Sequence, residues 1–102
     1  MQIEFVRSGG LAGILLTARV DLQNLPQEES EALETQIQAA RFFDLPGQIR
    51  PEAPVPDSFE YQITVSSPQR THTVTASESS INEPLRRLVD HLTDLARTGK
   101  YR

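Results

Sequence analysis

Three kinds of side chain in this sequence could do chemistry: two histidines, a serine beside two glycines, and a group of glutamates. His72 lies between two threonines, and His91 lies between Asp90 and Leu92. Neither histidine has a partner at the i, i+4 spacing of helical zinc sites, and the chain has no cysteine, so a metal site would need carboxylates. We therefore expect no bound metal, and we expect both histidines to be partly exposed, one on a strand and one on a helix.

Ser8 and the glutamates also give no catalytic arrangement. A serine esterase places its nucleophile between glycines on a strand-to-helix turn, whereas Ser8 precedes Gly9 and Gly10 and the segments on both sides have strand patterns. The glutamates at positions 28, 29, 31 and 34 fit the solvated face of a helix. An active-site carboxylate pair needs a pocket, which a chain of 102 residues has little material to build. The sequence predicts a protein that is not an enzyme and needs no cofactor.

The glycine-rich segment carries most of the functional interpretation. It consists of Arg7, Ser8, Gly9, Gly10, Leu11, Ala12 and Gly13. Phosphate-binding loops place their glycines before a helix, but here a strand pattern follows the glycines and no lysine comes directly after them. Two interpretations remain. The glycines could supply the positive φ angles of a hairpin turn, or the segment could be a loop that presents Leu11 to the cleft of another protein.

Length and charge narrow the class of protein. A chain of 102 residues predicts one domain over residues 1–102. The net charge is −4 and the 10 basic residues are scattered among 14 acidic ones, which argues against a nucleic-acid partner. No apolar run approaches the roughly 20 residues of a membrane span. The alternating first residues, which include an acid, do not resemble a signal peptide. We expect a cytoplasmic protein with no membrane partner, and non-classical export stays open.

Periodicity in the first half predicts a hairpin and a helix. Apolar residues alternate over residues 2–7 and again over residues 14–21, which predicts two strands joined by the glycine-rich segment. A stripe that includes Leu33 and Ile37 has helical spacing and predicts a helix over residues 26–40, with proline in its first turn. The two phenylalanines that follow this helix are expected to fold back into the core.

The second half begins with a proline-rich connector. Residues 46–57 contain four of the seven prolines and predict an extended, semi-rigid connector inside the domain. Two further strands are predicted at residues 59–65 and 71–76, joined by a turn at residues 67–70.

The last predicted element is a helix that is capped by Asn82 and closed by Gly99. Its apolar stripe consists of Leu85, Leu88, Val89, Leu92 and Leu95. The element order is therefore β-β-α-β-β-α. We predict an α+β fold in which a four-stranded antiparallel sheet carries both helices on one face.

The motifs, taken in this order, resemble those of the emfourin family, small bacterial protein inhibitors of thermolysin-like zinc metalloproteases, protealysin among them. The resemblance runs from about Gln2 to Leu95. It is carried by Arg7 with Gly9-Gly10 and Ala12-Gly13-Ile14, Leu25-Pro26, Phe42-Phe43 with Leu45-Pro46, Phe59 and Tyr61, Arg70 with His72-Thr73-Val74, and Leu85-Arg86 with Leu88-Val89.

This resemblance implies an inhibitor that blocks the cleft of a thermolysin-like zinc metalloprotease. We expect the free protein to be a monomer. Such proteases favour cleavage before a bulky apolar residue, so Gly10-Leu11 would look like a cleavable junction. The hypothesis is that residues 8–13 enter the cleft, Leu11 fills the pocket beyond the zinc, and Arg7 pairs with an acidic rim. The connector at residues 46–57 is the second choice of site.

The alternative function is a non-inhibitory adaptor module that binds its partner through the sheet.

Overall fold

The sheet at the centre of the protein has five strands in the computed structural model, which describes residues 1–10, 13, 15–53 and 55–99. The strands are β1 Gln2–Gly9, β2 Leu16–Asp21, β3 Gln48–Ile49, β4 Phe59–Ser66 and β5 Thr71–Ser77. The helices are α1 Gln27–Ala39 and α2 Glu83–Thr98, with short 3-10 turns at Leu22–Asn24, Phe42–Asp44 and Glu78–Ser80. The strand order is β2-β1-β4-β5-β3, so the glycine-rich hairpin and the β4–β5 hairpin meet along β1 and β4.

The predicted four-stranded antiparallel sheet was wrong in one respect. The two residues of β3 lie inside the predicted connector and pair in parallel with β5, with Gln48 opposite Thr75 and Ile49 opposite Ala76. The amide of Thr75 also donates to the carbonyl of Gly47 at 2.8 Å. The observed order is therefore β-β-α-β-β-β-α, and the sheet is mixed. A strand of two residues between prolines is too short to show alternation, so no periodic signal was available to predict it.

Strand register puts the apolar residues of the sheet on one face. Ile3 lies opposite Val20 on β2 and Val65 on β4, and the same pairing places Phe5 opposite Ile63. These side chains are buried, whereas Glu4, the residue between Ile3 and Phe5, is exposed. Both helices pack their apolar residues into the same core cluster. Their contributions are Leu33 and Ile37 from α1 and Leu85, Leu88, Val89, Leu92, Leu95 and Ala96 from α2. The α+β class with both helices on one face is thus confirmed.

The predicted helix signals are confirmed at atomic level. The side chain of Asn82 accepts a hydrogen bond from the Leu85 amide at 3.1 Å, which caps α2. Gly99 takes a left-handed conformation with φ +62° and donates to the Leu95 carbonyl. Phe42 is 1% exposed, and Phe43 packs edge-on against it, as the sequence predicted. Within the described part of the chain, no helix combines the length and the apolar character needed to cross a membrane.

Candidate functional site

The glycine-rich loop connects β1 to β2 at one end of the sheet. Near the end of β1, Arg7 pairs on both sides, with Leu16 on β2 and with Tyr61 on β4. Gly9 lies opposite Phe59, the first residue of β4. The two ends of the loop therefore continue into the paired strands β1 and β2, and β4 pairs with the end of β1 that leads into the loop.

Each of the three glycines in this loop has a positive φ angle: +86° at Gly9, +76° at Gly10 and +63° at Gly13. This confirms the sequence interpretation that these glycines supply backbone conformations that other residues rarely adopt. The other interpretation, a loop that presents Leu11, stays a prediction, because Leu11 and Ala12 lie outside the described residues.

At two of these glycines, the backbone lies too close to residues of a neighbouring segment for a side chain to fit. A Cβ atom on Gly9 would lie 2.8 Å from the carbonyl oxygen of Ser58, and one on Gly10 would lie 2.6 Å from Cε1 of Phe59. A Cβ atom on Gly13 would meet no atom of the described residues within 4 Å. The first part of the loop is thus packed against the start of β4, whereas at Gly13 the φ angle is what favours glycine.

Arg7 and Phe59 pack against each other beneath the loop. The guanidinium carbon of Arg7 lies 4.2 Å from the centroid of the Phe59 ring, which is cation–π geometry. Its Nε atom is buried and has no hydrogen-bond partner among the residues that the structure describes. The amide of Phe59 donates to Oε1 of Glu78 at 3.4 Å. Arg7 was predicted to pair with an acidic rim on a protease. That pairing stays a prediction, and in the free protein its guanidinium covers Phe59.

A polar groove lies beside this contact, between the sheet end and α2. It is lined by Arg7, Phe59, Tyr61, Glu78, Asp90, Thr93, Asp94 and Arg97. Burial raises the pKa of the Tyr61 phenol above its ordinary value of 10.0, and the carboxylate of Glu78 raises it further. Acidic and basic side chains are mixed along this groove, which gives it no single charge that would select an anion or a cation.

An exposed apolar residue at the end of the loop was not predicted as a site residue. Leu15 directly precedes β2 and is 63% exposed. Alternation along β2 turns Leu16 inward and therefore turns Leu15 outward, so this signal was present in the sequence. Val55, in the connector, is 48% exposed, and its carbonyl accepts from the Ser58 amide at 3.4 Å. Since Ser58 also touches Gly9, the connector meets the base of the loop, and the two sites proposed from the sequence are neighbours.

Both histidines lie in structural contacts away from the loop. His72 is partly buried, and its Nε2 atom lies 2.7 Å from the carbonyl oxygen of Leu45. His91 joins the two helices, with Nδ1 2.9 Å from Oε1 of Gln36 and Nε2 in a short contact with Glu29. Their predicted partial exposure is confirmed. In the ranges covered by the structure, no group of three or more His, Asp or Glu side chains is placed to hold a metal ion.

Comparison with known protein families identifies one family. The model of the emfourin family matches residues 5–93 of this chain. The matched range contains the glycine-rich loop, Phe59 and most of α2. Comparisons with curated proteins and with solved structures found no match.

Proposed function

We propose, from the premise that this chain belongs to the emfourin family, that it inhibits a thermolysin-like zinc metalloprotease with its β1–β2 loop. The activity of the family is inhibition of metalloproteases. The choice of loop rests on one observation: Gly9 and Gly10 are packed against Ser58 and Phe59 at the base of a loop held by three strands.

A braced base favours inhibition over cleavage. A segment that enters a protease cleft loses conformational freedom, and this loss is smaller when the free protein already restrains the segment. After a cut in such a segment, both new ends stay in place because they continue into β1 and β2. Religation and slow release then compete with turnover of the inhibitor.

Leu11 is the residue proposed to fill the pocket beyond the catalytic zinc. Complete burial of a leucine side chain contributes about 2 kcal/mol. Leu15, exposed at the other end of the loop, offers a second apolar contact to the rim of the same cleft. Together they would place two apolar side chains beside an otherwise glycine-rich backbone that can approach the enzyme closely.

The outer face of the sheet supports this choice over the adaptor alternative. Two pairs of polar side chains on neighbouring strands are in contact there. Arg19 forms an ion pair with Glu4 at 3.0 Å, and the hydroxyl groups of Thr64 and Thr73 are 2.8 Å apart. Apart from Leu15 beside the loop, no large apolar side chain of that face is exposed in the described ranges, so the exposed apolar surface lies near the loop.

Inhibition assays test the proposal directly. The purified chain is titrated into a thermolysin-like protease and the rate of peptide hydrolysis is measured. The wild-type chain should inhibit, and Leu11→Ala should weaken inhibition at least ~10-fold, since the lost contact exceeds about 1.4 kcal/mol, with an unchanged unfolding midpoint. Val55→Ala is the matched control, an exposed apolar residue of the connector.

The outcomes separate the candidate sites. Absence of inhibition by the wild-type chain contradicts the proposed function and favours an adaptor role. Inhibition that is insensitive to Leu11→Ala but sensitive to Val55→Ala would move the site to the connector at residues 46–57.

A further inference from the structure

Phe59 touches the loop and the strand that leads into it at the same time. The guanidinium of Arg7 covers the face of its ring at 4.2 Å. A Cβ atom built on Gly10 would lie 2.6, 3.3 and 3.2 Å from Cε1, Cζ and Cδ1, so Gly10 meets the edge of the ring. A single side chain on β4 thus contacts residues on both sides of the point where β1 turns into the loop.

The backbone at this point needs such a contact. Gly9 and Gly10 are adjacent and both have positive φ angles. Glycine has more backbone conformational freedom than any other residue type. Neither glycine has a side chain whose contacts could restrain its backbone conformation. Phe59 is itself held, because it pairs with Gly9 across the ladder and its amide bonds to Glu78 at 3.4 Å.

We propose that Phe59 is the positioning residue that keeps the β1–β2 loop an inhibitor and prevents it from being processed as a substrate. This inference rests on the proposed function. The ring restrains Gly9 and Gly10 in the free protein and holds the new end of β1 in place after a cut. Arg7 takes part by covering the ring, so its side chain acts on the loop through Phe59.

The chain contains a matched control at the other end of the sheet. Phe43 is also a partly buried aromatic residue packed against the core, and the guanidinium of Arg70 lies 4.0 Å from its ring centroid. Arg70 belongs to the turn between β4 and β5, whereas Phe59 begins β4. Phe43→Leu therefore removes the same kind of contact at a distance from the loop.

Phe59→Leu and Phe43→Leu are compared in three measurements: the inhibition constant, the rate at which excess protease cuts the chain within residues 8–13, and the thermal unfolding midpoint. Both variants should lower the unfolding midpoint. Only Phe59→Leu should weaken inhibition about tenfold and raise the cleavage rate by a similar factor. Equal effects of the two variants on cleavage and inhibition would overturn the inference.

Arg7→Met provides a second test if Phe59→Leu does not fold. It keeps an apolar stem over the ring and removes the charge, so it should shift cleavage and inhibition in the same direction by a smaller factor. If Arg7→Met is cleaved at the wild-type rate, Arg7 has no part in positioning the loop. If Phe59→Leu in addition does not fold, the same result would overturn the inference as a whole.

Hydrogen exchange of the free protein separates this inference from the proposed function. Exchange of the Gly9 and Gly10 amides should be at least tenfold faster in Phe59→Leu than in Phe43→Leu. If the wild-type chain inhibits no metalloprotease, the proposed function fails, and faster exchange would still support the positioning by Phe59. Equal exchange in the two variants would overturn the positioning itself, even if the wild-type chain inhibits.

Discussion

Replacing Gly10 by alanine tests the packing of the loop base, and Gly13→Ala is its matched control. Both glycines have positive φ angles, +76° and +63°. A Cβ atom on Gly10 would lie 2.6 Å from Cε1 of Phe59, whereas among the residues that the structure describes a Cβ atom on Gly13 would meet no atom within 4 Å. Both substitutions therefore carry the free-energy cost of an alanine at a positive φ angle, and Gly10→Ala adds the cost of a steric clash with Phe59.

The expected free energies follow from these two terms. A left-handed φ angle costs an alanine about 1–2 kcal/mol, and the lower entropy of the unfolded alanine chain offsets about 0.4–1 kcal/mol of that. Gly13→Ala should thus lower the free energy of unfolding by about 1 kcal/mol. A side chain forced into occupied space adds about 1–3 kcal/mol, so Gly10→Ala should lower it by about 2–4 kcal/mol.

Urea denaturation of the two variants measures this difference. The decisive step repeats Gly10→Ala in a Phe59→Ala background, where the obstacle is gone and the cost of the alanine should fall to about that of Gly13→Ala. Equal costs for the two glycine variants in the wild-type background, or a cost at Gly10 that does not depend on Phe59, would show that the ring does not obstruct a side chain at position 10.

Three further predictions concern single side chains. His91→Ala should lower the free energy of unfolding by about 1–2 kcal/mol because it leaves the Glu29 carboxylate without its partner, while inhibition stays unchanged; weaker inhibition at full stability would contradict this. The folded-state pKa of Tyr61 is raised above 10.0, so its stabilising contribution is fully present below pH 10.0 and is lost as the pH rises through the folded-state pKa. Tyrosinate absorbance of a Tyr101→Phe variant measures this titration, and ionisation of Tyr61 below pH 10.0 would contradict it. Leu15→Ala should weaken inhibition roughly fivefold, about 1 kcal/mol, with the urea midpoint unchanged because the side chain is 63% exposed; wild-type inhibition would exclude it from the interface.

Local signals predicted most of the elements. Alternation over the first strand, the cap at Asn82 and the glycine stop at Gly99 depend on neighbouring residues, and all three appear in the structure. The sequence did not reveal β3, because two residues between prolines carry no period and their parallel pairing with β5 is decided by tertiary packing.

The candidate site was predictable only in part. Glycines at positions 9, 10 and 13 indicated unusual backbone angles, and the structure has them. The contact of Gly10 with Phe59 joins residues about fifty positions apart, so it depends on β1 pairing with β4. No local pattern in the sequence indicated that Phe59 would lie beside Gly10. For this reason, Arg7 was predicted to contact the protease, and Phe59 was predicted only as a residue of a strand.

A crystal structure of this chain bound to a thermolysin-like metalloprotease would show which surface fills the substrate cleft. We expect residues 8–13 to occupy the cleft, with Leu11 in the pocket next to the zinc and Phe59 still against Gly10. A complex in which residues 8–13 face solvent while another surface covers the cleft would contradict this expectation.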